Sequence, residues 1–464
     1  MSDNERTANR SERRERGKAL RKEVSRSSHG TWVPAPDRPD PISLLRDQDR
    51  GRLEHLLPIK YGRMLESPFS FLRGSATVMA ADLASTPVTG LQVQLCGDAH
   101  LLNFGVFATP ERKLVFDIND FDETYAGPWE WDLKRLAASA VVAGRENEFG
   151  EDVNRKLAET VTSSYRDAML RLSLAPTLDV WYFNVDVDRV LEAFERSSGK
   201  ARKGARKMVR KARTHTHEQT LEMLTELVDG RRRILNDPPL LVRLSELLTE
   251  EQKAQLTEQD IEKMWLEYLS SLPEERRLLL SRFRVSGVAL RVGGIGSVGT
   301  LCLIVLLEGG AKDDALILQL KEAGPSVLEP YVKKRDYGNH ARRVVLGQRL
   351  MQAASDIFLG WHKGLLTGIQ FYWRQLKDMK GSMDVAALDE AGLETYLKVC
   401  SVCLARAHAR TGDASAISGY IGKGDAFARA IADFAVAYAD QTERDYQTLV
   451  EAVESGKIAA EKGI

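Results

Sequence analysis

The sequence predicts an α+β protein with two lobes, one small and β-rich, the other larger and mainly helical. Alternating apolar stretches bounded by turn residues concentrate in 91–122 and 283–378, whereas apolar residues elsewhere recur at helical spacing. The 464 residues are 43% hydrophobic and 28% charged, which allows a full core in two or three domains' worth of chain.

The composition narrows the class of protein. Basic and acidic residues both number 66, so no overall basic field indicates nucleic acid as a partner. No apolar run reaches the ~20 residues that span a bilayer. The basic start lacks the apolar segment of a signal peptide. The cysteines are too few and too scattered for a secreted disulfide framework: Cys96, Cys302, Cys400 and Cys403. We therefore expect a cytoplasmic protein without a membrane segment.

The first part of the chain is expected to hold an arm and then the helical lobe. Residues 1–40 are charged and interrupted by Ser and Pro, which indicates an extended N-terminal arm. The helical lobe is expected over 41–282. It contains a strand in "TGLQVQLCGD", a hairpin in "NFGVFATPERKLVFDIND", and a long helical region from about 200 to 280.

At residue 283 the sequence pattern changes from helical spacing to strands. "FRVSGVALRVGGIGSVGTLCLIVLLEG" predicts a glycine-centred pair of strands, and "ALILQLKEA" predicts a third. A helix over about 326–353 and strands in "DIFLGW" and "FYWRQL" complete a β-rich lobe over 283–378. Helices over 379–464 are expected to complete the helical lobe.

Carboxylates cluster around a tight turn and a hairpin in 96–122. Asp98 follows a strand and Asn103 comes five residues later, while Asp120 ends the hairpin. Phosphoryl transfer needs a carboxylate to orient or deprotonate the nucleophile, and amide or carboxylate oxygens to hold Mg²⁺. A divalent cation would also offset the repulsion among these charges. The alternative is an acidic hairpin whose carboxylates only cap turns.

A second group of residues fits the nucleotide side of such a site. A glycine-rich hairpin over the phosphates and a lysine on the following strand are parts of kinase ATP sites. Lys321 ends the third strand, and its acidic partner is left open between Glu329 and Glu322. The glycines at the bend, which an ordinary turn would also explain, are Gly293, Gly294, Gly296 and Gly299.

"GDAHLLNFG" resembles the catalytic loop of aminoglycoside and choline phosphotransferases, the small-molecule branch of the protein-kinase-like fold. "DFDETYAGPWEWDLKRLA" resembles their metal-binding segment and the helix start that follows. The resemblance implies Asp98 as the catalytic residue, Asn103 and Asp120 as Mg²⁺ ligands, and Asp132 as the carboxylate that braces the loop. The interval to Asp132 favours Asp120 over Asp117 as the ligand.

Residues next to these would support the catalytic loop and the metal ligands. His100 is either a group behind the catalytic residue or a packed core histidine, and Asp117 and Asp122 flank the proposed ligand. Cys96 stands where these families have His.

The order of the motifs is reversed relative to an ordinary phosphotransferase, because the catalytic loop precedes Lys321. After Lys321 come a helix, two strands, the hinge-like "KDMKGS" and the helix "LETYLKVCSVCLARAHAR". In such families that helix leads directly into the catalytic loop. We infer a circularly permuted, two-lobed kinase-like fold, since the termini of a domain often lie close together.

Long segments also resemble one bacterial family, the domain of unknown function family 2252. They include "LPIKYGRMLESPFSFLRGSATVMAADLA" and "CGDAHLLNFGVFATPERKLVFDINDFDET". The residues themselves favour a transferase that uses ATP and Mg²⁺ on a small-molecule or protein acceptor that the sequence does not identify. The alternatives are a pseudokinase that binds nucleotide to regulate a partner, and AMP transfer on the same fold.

Other patterns have simpler interpretations. "CSVC" with His408 lies within a predicted helix and indicates core cysteines rather than zinc. The basic run at 200–213 indicates a solvated helix face more than an anionic partner. Arg63 and Arg73 could contact phosphate or acceptor, or form structural salt bridges.

Overall fold

A computed structural model describes residues 8–247, 258–311, 314–364, 368–376 and 379–464. It is an α+β structure, as the sequence predicts. Among the described helices, none combines the length and the apolar character needed to cross a membrane.

The prediction of an extended arm is wrong for the described residues 8–40. Helix α1 (Arg10–Ala19) is closed by a capping box, in which the Asn9 side chain accepts from Glu12 N and Glu12 accepts from Asn9 N. Arg16 donates to Asp413 over 2.9 Å, and Trp32 is buried in the main core. Local capping and these contacts therefore outweigh the polar composition. Residues 1–7 of the arm lie outside the described part.

Short helices and then two small sheets follow. The helices are α2 (Pro41–Asp49), α3 (Leu57–Met64), α4 (Pro68–Gly74) and α5 (Ala76–Leu83). The strands are β1 (Gln92–Leu95), β2 (Phe104–Ala108), β3 (Leu114–Ile118) and β4 (Tyr125–Pro128). β2 and β3 form the predicted hairpin, and β1 pairs antiparallel with β4. The loop between β1 and β2 is the predicted catalytic loop.

The middle of the chain is helical, with one short strand added to β3. The elements are α6 (Trp129–Glu146), α7 (Glu151–Leu174), α8 (Thr177–Tyr182), β5 (Val185–Asp186), α9 (Val187–Glu195), α10 (Gly199–Thr214) and α11 (His217–Leu224). Buried apolar residues of α6 and α7 form much of the main core.

The long helix predicted over 200–280 is interrupted by strands. They are β6 (Thr225–Val228), β7 (Arg231–Ile234) and β8 (Leu241–Arg243), followed by α12 (Leu244–Leu247), α13 (Glu258–Ser270) and α14 (Glu274–Leu280). Asp229 and Gly230 both have positive φ, so this Asp-Gly pair makes the tight turn of a hairpin. Residues 248–257 of the predicted helix lie outside the described part.

The β-rich lobe is one antiparallel sheet. Its further elements are β9 (Arg284–Arg291), β10 (Cys302–Glu308), β11 (Ala315–Glu322), α15 (His340–Met351), β12 (Gly360–Lys363) and β13 (Gln370–Gln375). The strand order is β12-β13-β11-β10-β9-β8. As far as the structure describes the chain, no strand of 91–122 joins this sheet, so the two predicted strand regions are separate. The sheet begins at β8 rather than at residue 283.

Two boundaries in this lobe differ from prediction. Helix α15 begins at residue 340 rather than near 326, because the Asn339 side chain caps it by accepting from Arg342 N over 2.6 Å. Only the end of "DIFLGW" is strand, since β12 starts at Gly360. Of the predicted hinge, residues 377 and 378 lie outside the described part.

The last helices return to the helical lobe, as predicted for 379–464. They are α16 (Glu390–Thr411), α17 (Ala414–Ile421) and α18 (Ala426–Glu454). The C-terminal end of α16 lies beside β1, because Gln94 N donates to Thr411 Oγ1 over 3.1 Å.

Candidate functional site

A cleft of about 720 Å³ separates the six-stranded sheet from the helical lobe. It brings together most of the residues singled out in the sequence, although they come from distant parts of the chain. The predicted site residues in its wall are Asp98, His100, Asn103, Asp120, Asp122, Gly293, Gly294, Gly296 and Lys321. Asp117, Asp132, Gly299 and Glu329 lie outside the wall.

Asp132 and a glycine fix the loop that carries Asp98. Cys96 N and Gly97 N donate to the Asp132 carboxylate over 2.7 and 3.0 Å. Gly97 has φ +85°, and a Cβ there would overlap the Glu123 carbonyl. The carboxylate at the start of α6 therefore holds the backbone of the loop, and glycine is needed for its turn.

The Asp98 carboxylate forms an ion pair. Arg135 donates to Asp98 Oδ1 over 2.5 Å and to the Leu72 carbonyl over 2.8 Å. The Asp98 side chain keeps 20% of its surface exposed, and its Oδ2 lies 3.6 Å from His100 Nε2. Sequence reasoning missed Arg135, although it follows Asp132 by three residues and therefore shares a face of α6 with it.

His100 is a buried, neutral histidine. Desolvation lowers its pKa to about 4 against the opposing charge of Asp98. Its ring meets Phe69 edge-on, with the centroids 6.5 Å apart. It therefore packs behind Asp98 without carrying charge at neutral pH.

Asn103 and Asp120 present oxygens to the same part of the cleft. Asn103 Nδ2 donates to the Asp98 carbonyl over 2.6 Å, which leaves Oδ1 free for a cation. Asn119 N donates to the Asn103 carbonyl over 2.8 Å, so the end of β3 is tied to the loop. The Asp120 side chain is 44% exposed, and desolvation and Asp122 raise its pKa. This pair fits the oxygen ligands that Mg²⁺ prefers.

Lys321 contacts the hairpin rather than the predicted glutamates. Its ammonium hydrogen-bonds Asp122 and lies 3.7 Å from Asp120 Oδ1, and Tyr372 donates to Asp122 over 2.5 Å. Burial alone would lower the pKa of Lys321, but Asp120 and Asp122 raise it well above its ordinary value. Desolvation favours a high pKa for Asp122, but Lys321, the Tyr372 hydroxyl and Arg374 together outweigh it and lower that pKa.

Neither of the two glutamates between which the partner of Lys321 was left open pairs with it, because both are engaged elsewhere. Glu329 Oε1 lies 3.7 Å from Arg343 Nε and 3.5 Å from His340 Nδ1. It sits in the turns before α15, where Ser326 N donates to it over 3.0 Å. The other candidate, Glu322, accepts from Leu301 N over 2.9 Å.

The glycine-rich connection between β9 and β10 is tied to the helical lobe. Arg52 donates to the Gly296 and Val298 carbonyls over 2.9 and 2.6 Å, and Arg63 donates to the Gly293 carbonyl. Ile295 packs in an apolar cluster with residues of α2, α3 and α4. Arg63 is thus a structural donor to the loop, through a carbonyl rather than a salt bridge.

Residues 52–452 match the family described as an uncharacterised protein conserved in bacteria, DUF2252. The chain belongs to the DUF2252 family. No curated protein and no solved structure matches it.

Further cations line the cleft of this DUF2252 protein. Arg374 is buried and donates to the Asn119 carbonyl over 3.4 Å, and Asp120 is among the groups that raise its pKa against burial. Lys380 lies beside it, and desolvation together with Arg374 lowers the pKa of Lys380 to about 7. Both come from β13 and the segment after it, and the sequence carries no local signal for them.

The remaining candidates have structural roles. Asp117 is buried and paired with Arg406 of α16, and desolvation raises its pKa. His408 lies 3.2 Å from Asp132 and 2.8 Å from the Tyr165 hydroxyl. All the cysteines are buried and free.

No group of three or more His, Cys, Asp or Glu side chains within the described ranges could hold a metal ion alone. The basic run forms the exposed face of α10, where Arg206 pairs with Glu195.

Proposed function

We propose that this protein is a phosphotransferase that uses ATP and Mg²⁺, built on a circularly permuted, two-lobed kinase-like fold. One observation carries the proposal: Asp98, Asn103, Asp120 and Lys321 line the same cleft as a glycine-rich hairpin. An acidic hairpin that only capped turns would not need a lysine and glycines from another lobe opposite it.

The order of elements supports the permuted fold. Within the sheet, β9 to β11 form a meander whose first turn is glycine-rich and whose third strand carries Lys321. Helix α15, β12 and β13 follow, and then α16, which ends against β1. Joining the end of α16 to β1 would restore the ordinary order, because the two lie side by side.

Different residues of the cleft would bind the phosphoryl donor and the acceptor. ATP, the donor substrate, would supply the γ-phosphoryl group, and Mg²⁺ would offset charge on its phosphates. Lys321 and the glycine-rich connection would bind the phosphates, and the oxygens of Asn103 and Asp120 would hold the cation.

Asp98 would act on the acceptor through Oδ2, because Arg135 occupies Oδ1. The acceptor oxygen bonds to the γ-phosphorus as the bond to the β–γ bridging oxygen breaks. ADP leaves with that electron pair, and the acceptor's proton passes to Asp98. Since phosphoryl transfer needs little base strength, Asp98 chiefly orients the hydroxyl.

The second candidate is a nucleotide-binding pseudokinase. The ion pair between Asp98 and Arg135 favours it, because a carboxylate that neutralises a nearly buried arginine has a structural role that needs no acceptor. AMP transfer is the third candidate, and it differs only in which way the nucleotide lies.

The test is Mg²⁺-dependent ATP binding followed by label transfer. ATP with Mg²⁺ at a hundredfold excess over Kd should stabilise the protein by about 2–3 kcal/mol. Lys321→Ala and Asp120→Ala should largely lose this thermal shift, whereas Lys203→Ala, an exposed change on α10, should keep it. Transfer from γ-labelled ATP indicates phosphoryl transfer, and protein-bound α label indicates AMP transfer. A full shift in both site variants would overturn the proposed site. Tight binding without transfer of either label would favour the pseudokinase.

A further inference from the structure

Arg73 is a cation of the cleft wall that lacks a protein partner. It lies in the last turn of α4 and lines the cleft together with Asp98 and His100. Its Nε is buried without a hydrogen-bond partner. Across the described ranges, its side chain makes no hydrogen bond or ion pair. A partly desolvated guanidinium in this state is costly unless a ligand completes it.

The neighbouring arginines of the helical lobe are already engaged. Arg135 pairs with Asp98, Arg52 donates to carbonyls of the glycine-rich connection, and Arg63 donates to the same connection. Arg50, which also lines the cleft, pairs with Asp47 over 2.7 Å, so Arg73 is the guanidinium of this wall without a partner among the described residues. The Arg73 carbonyl lies near Gly296 of the glycine-rich connection, and Arg73 and Asp98 line the same cleft.

We propose that Arg73 binds an anionic group, a carboxylate or phosphate, of the acceptor substrate. The inference rests on the proposed transferase function and names its acceptor class. A guanidinium presents its donors in a planar fork that matches carboxylate and phosphate oxygens.

Position favours the acceptor over the nucleotide as the ligand of Arg73. The donor groups, Lys321 and the glycine-rich connection, belong to the sheet, whereas Arg73 stands on the helical wall that carries Asp98. Gln48 and Arg50 also line the cleft. The Gln48 Oε1 is buried without a partner, and the Arg50 side chain is 82% exposed. This end of the cleft can therefore contact a polar molecule that enters beside Asp98.

The charge of Arg73 disfavours, next to it, the cationic acceptors of the families that the catalytic loop resembles. Arg135 pairs with Asp98, and Arg50 pairs with Asp47 over 2.7 Å, so within the described ranges Arg73 is the guanidinium here that no carboxylate pairs. A polycationic aminoglycoside or a quaternary amine such as choline would be repelled there, whereas an anionic alcohol would be attracted.

The first experiment separates the two subsites with inorganic phosphate as the acceptor-side probe. Wild type saturated with a non-hydrolysable ATP analogue and Mg²⁺ should show a saturable thermal shift with phosphate. Arg73→Gln should weaken phosphate binding at least tenfold and change the Kd of the analogue less than threefold. Lys321→Met should weaken binding of the analogue at least tenfold and change the phosphate affinity, titrated without nucleotide, less than threefold. Arg73→Lys should recover part of the phosphate affinity that Arg73→Gln loses.

The second experiment measures transfer from γ-labelled ATP to matched alcohols, glycerol against glycerate and choline against serine phosphate. The anionic member should be labelled, and Arg73→Gln should lower its kcat/KM by ten- to a hundredfold. Preference for a neutral or cationic member, an unchanged phosphate shift in Arg73→Gln, or loss of nucleotide binding in that variant would overturn the inference. If wild type fails to bind ATP with Mg²⁺, the proposed function fails. An Arg73-dependent phosphate shift would then still support the anion site.

Discussion

Asp98 compensates Arg135 and, in the proposed reaction, would also orient the acceptor, and a substitution would affect these two functions differently. Its Oδ2 faces the cleft, whereas its Oδ1 compensates Arg135, whose side chain is 3% exposed. A residue that is catalytic and also neutralises a nearly buried cation contributes to stability as well as to turnover.

Asp98→Asn should therefore lower both turnover and stability. The amide keeps the size and can accept from Arg135, but it removes the charge. Transfer should fall by roughly 10²–10⁴-fold, and the free energy of unfolding by about 1–3 kcal/mol. Label transfer and urea unfolding measure the two effects. The Kd of ATP with Mg²⁺ should stay unchanged, and full activity of the variant would contradict the assignment of the catalytic loop.

Lys134 is a buried lysine that should make the stability of the folded protein depend on pH. Its side chain is fully buried and lies 4.8 Å from the centre of the Phe434 ring, and its Nζ has no hydrogen-bond partner in the part of the chain that the structure describes. Burial lowers its pKa to about 7, against the opposing charge of Glu130. Between pH 7 and 10.5 the unfolded chain therefore binds a proton that the folded chain does not. Stability contributed by this group rises with pH in that window.

Lys134→Met should raise the free energy of unfolding, by about 1–4 kcal/mol below pH 7. The gain should shrink as pH rises toward 10.5, because the wild-type cost disappears as the unfolded lysine deprotonates. Urea unfolding at pH 6 and pH 9 tests this, with the exposed Lys203→Met as the matched control. A gain that is equal at both pH values would contradict the burial argument.

At the scale of elements, the glycine-rich connection is held in place before any ligand binds. Arg52 and Arg63 donate to its carbonyls from the helical lobe, and Ile295 packs among the apolar side chains of that lobe. A loop anchored in this way loses less conformational freedom on binding phosphate than a free hairpin would.

Arg63→Ala should loosen this connection and weaken ATP binding with Mg²⁺ by roughly tenfold, because part of the ordering cost moves to the binding step. Calorimetric titration measures the change. Arg46→Ala is a suitable control, since Arg46 donates to the Lys457 carbonyl and lies outside the cleft wall. Unchanged affinity in Arg63→Ala would mean that the anchored loop does not contact the nucleotide.

Elements whose signals are local could be predicted from the sequence. The β2–β3 hairpin and the strand before Asp98 follow from alternation and turn residues. The break at Asp229-Gly230 and the start of α1 at Asn9 also had local signals, which the basic and charged composition around them obscured. Helix α15 was predicted too long because the turns before Asn339 are rich in charged residues that helices also tolerate.

Site residues were predictable only where their spacing is fixed along the chain. Asp98 and Asn103 share one loop, so their relation is local. The partner of Lys321 was not predictable in this way. It depends on how the sheet docks on the hairpin, which places Asp122 rather than Glu329 beside the ammonium. Arg374 likewise reaches the cleft through tertiary packing alone.

At the scale of the whole molecule, helix α16 from the last part of the chain holds the loop that carries Asp98. Tyr396 donates to the Leu101 and Phe104 carbonyls over 3.0 Å each, and His408 contacts Asp132. Arg406 pairs with Asp117 at the base of the hairpin. The loop that carries Asp98 is therefore held by residues that follow the nucleotide-side elements in sequence, as expected if the halves of one kinase-like domain have exchanged order.

With this arrangement, a nucleotide bound in the cleft would slow amide exchange on both of its sides. ATP with Mg²⁺ would contact the connection at 292–300 from one lobe and the loop at 96–103 from the other. Hydrogen exchange should therefore slow in both segments, by up to about a hundredfold at a hundredfold excess over Kd for amides that exchange only after release. Amides of α10, which is outside the cleft wall, should be unaffected. Lys321→Ala should lose protection in both segments, whereas Asp98→Asn should keep it in both. Protection of one segment alone in wild type would mean that the cleft does not bind the nucleotide between its two walls.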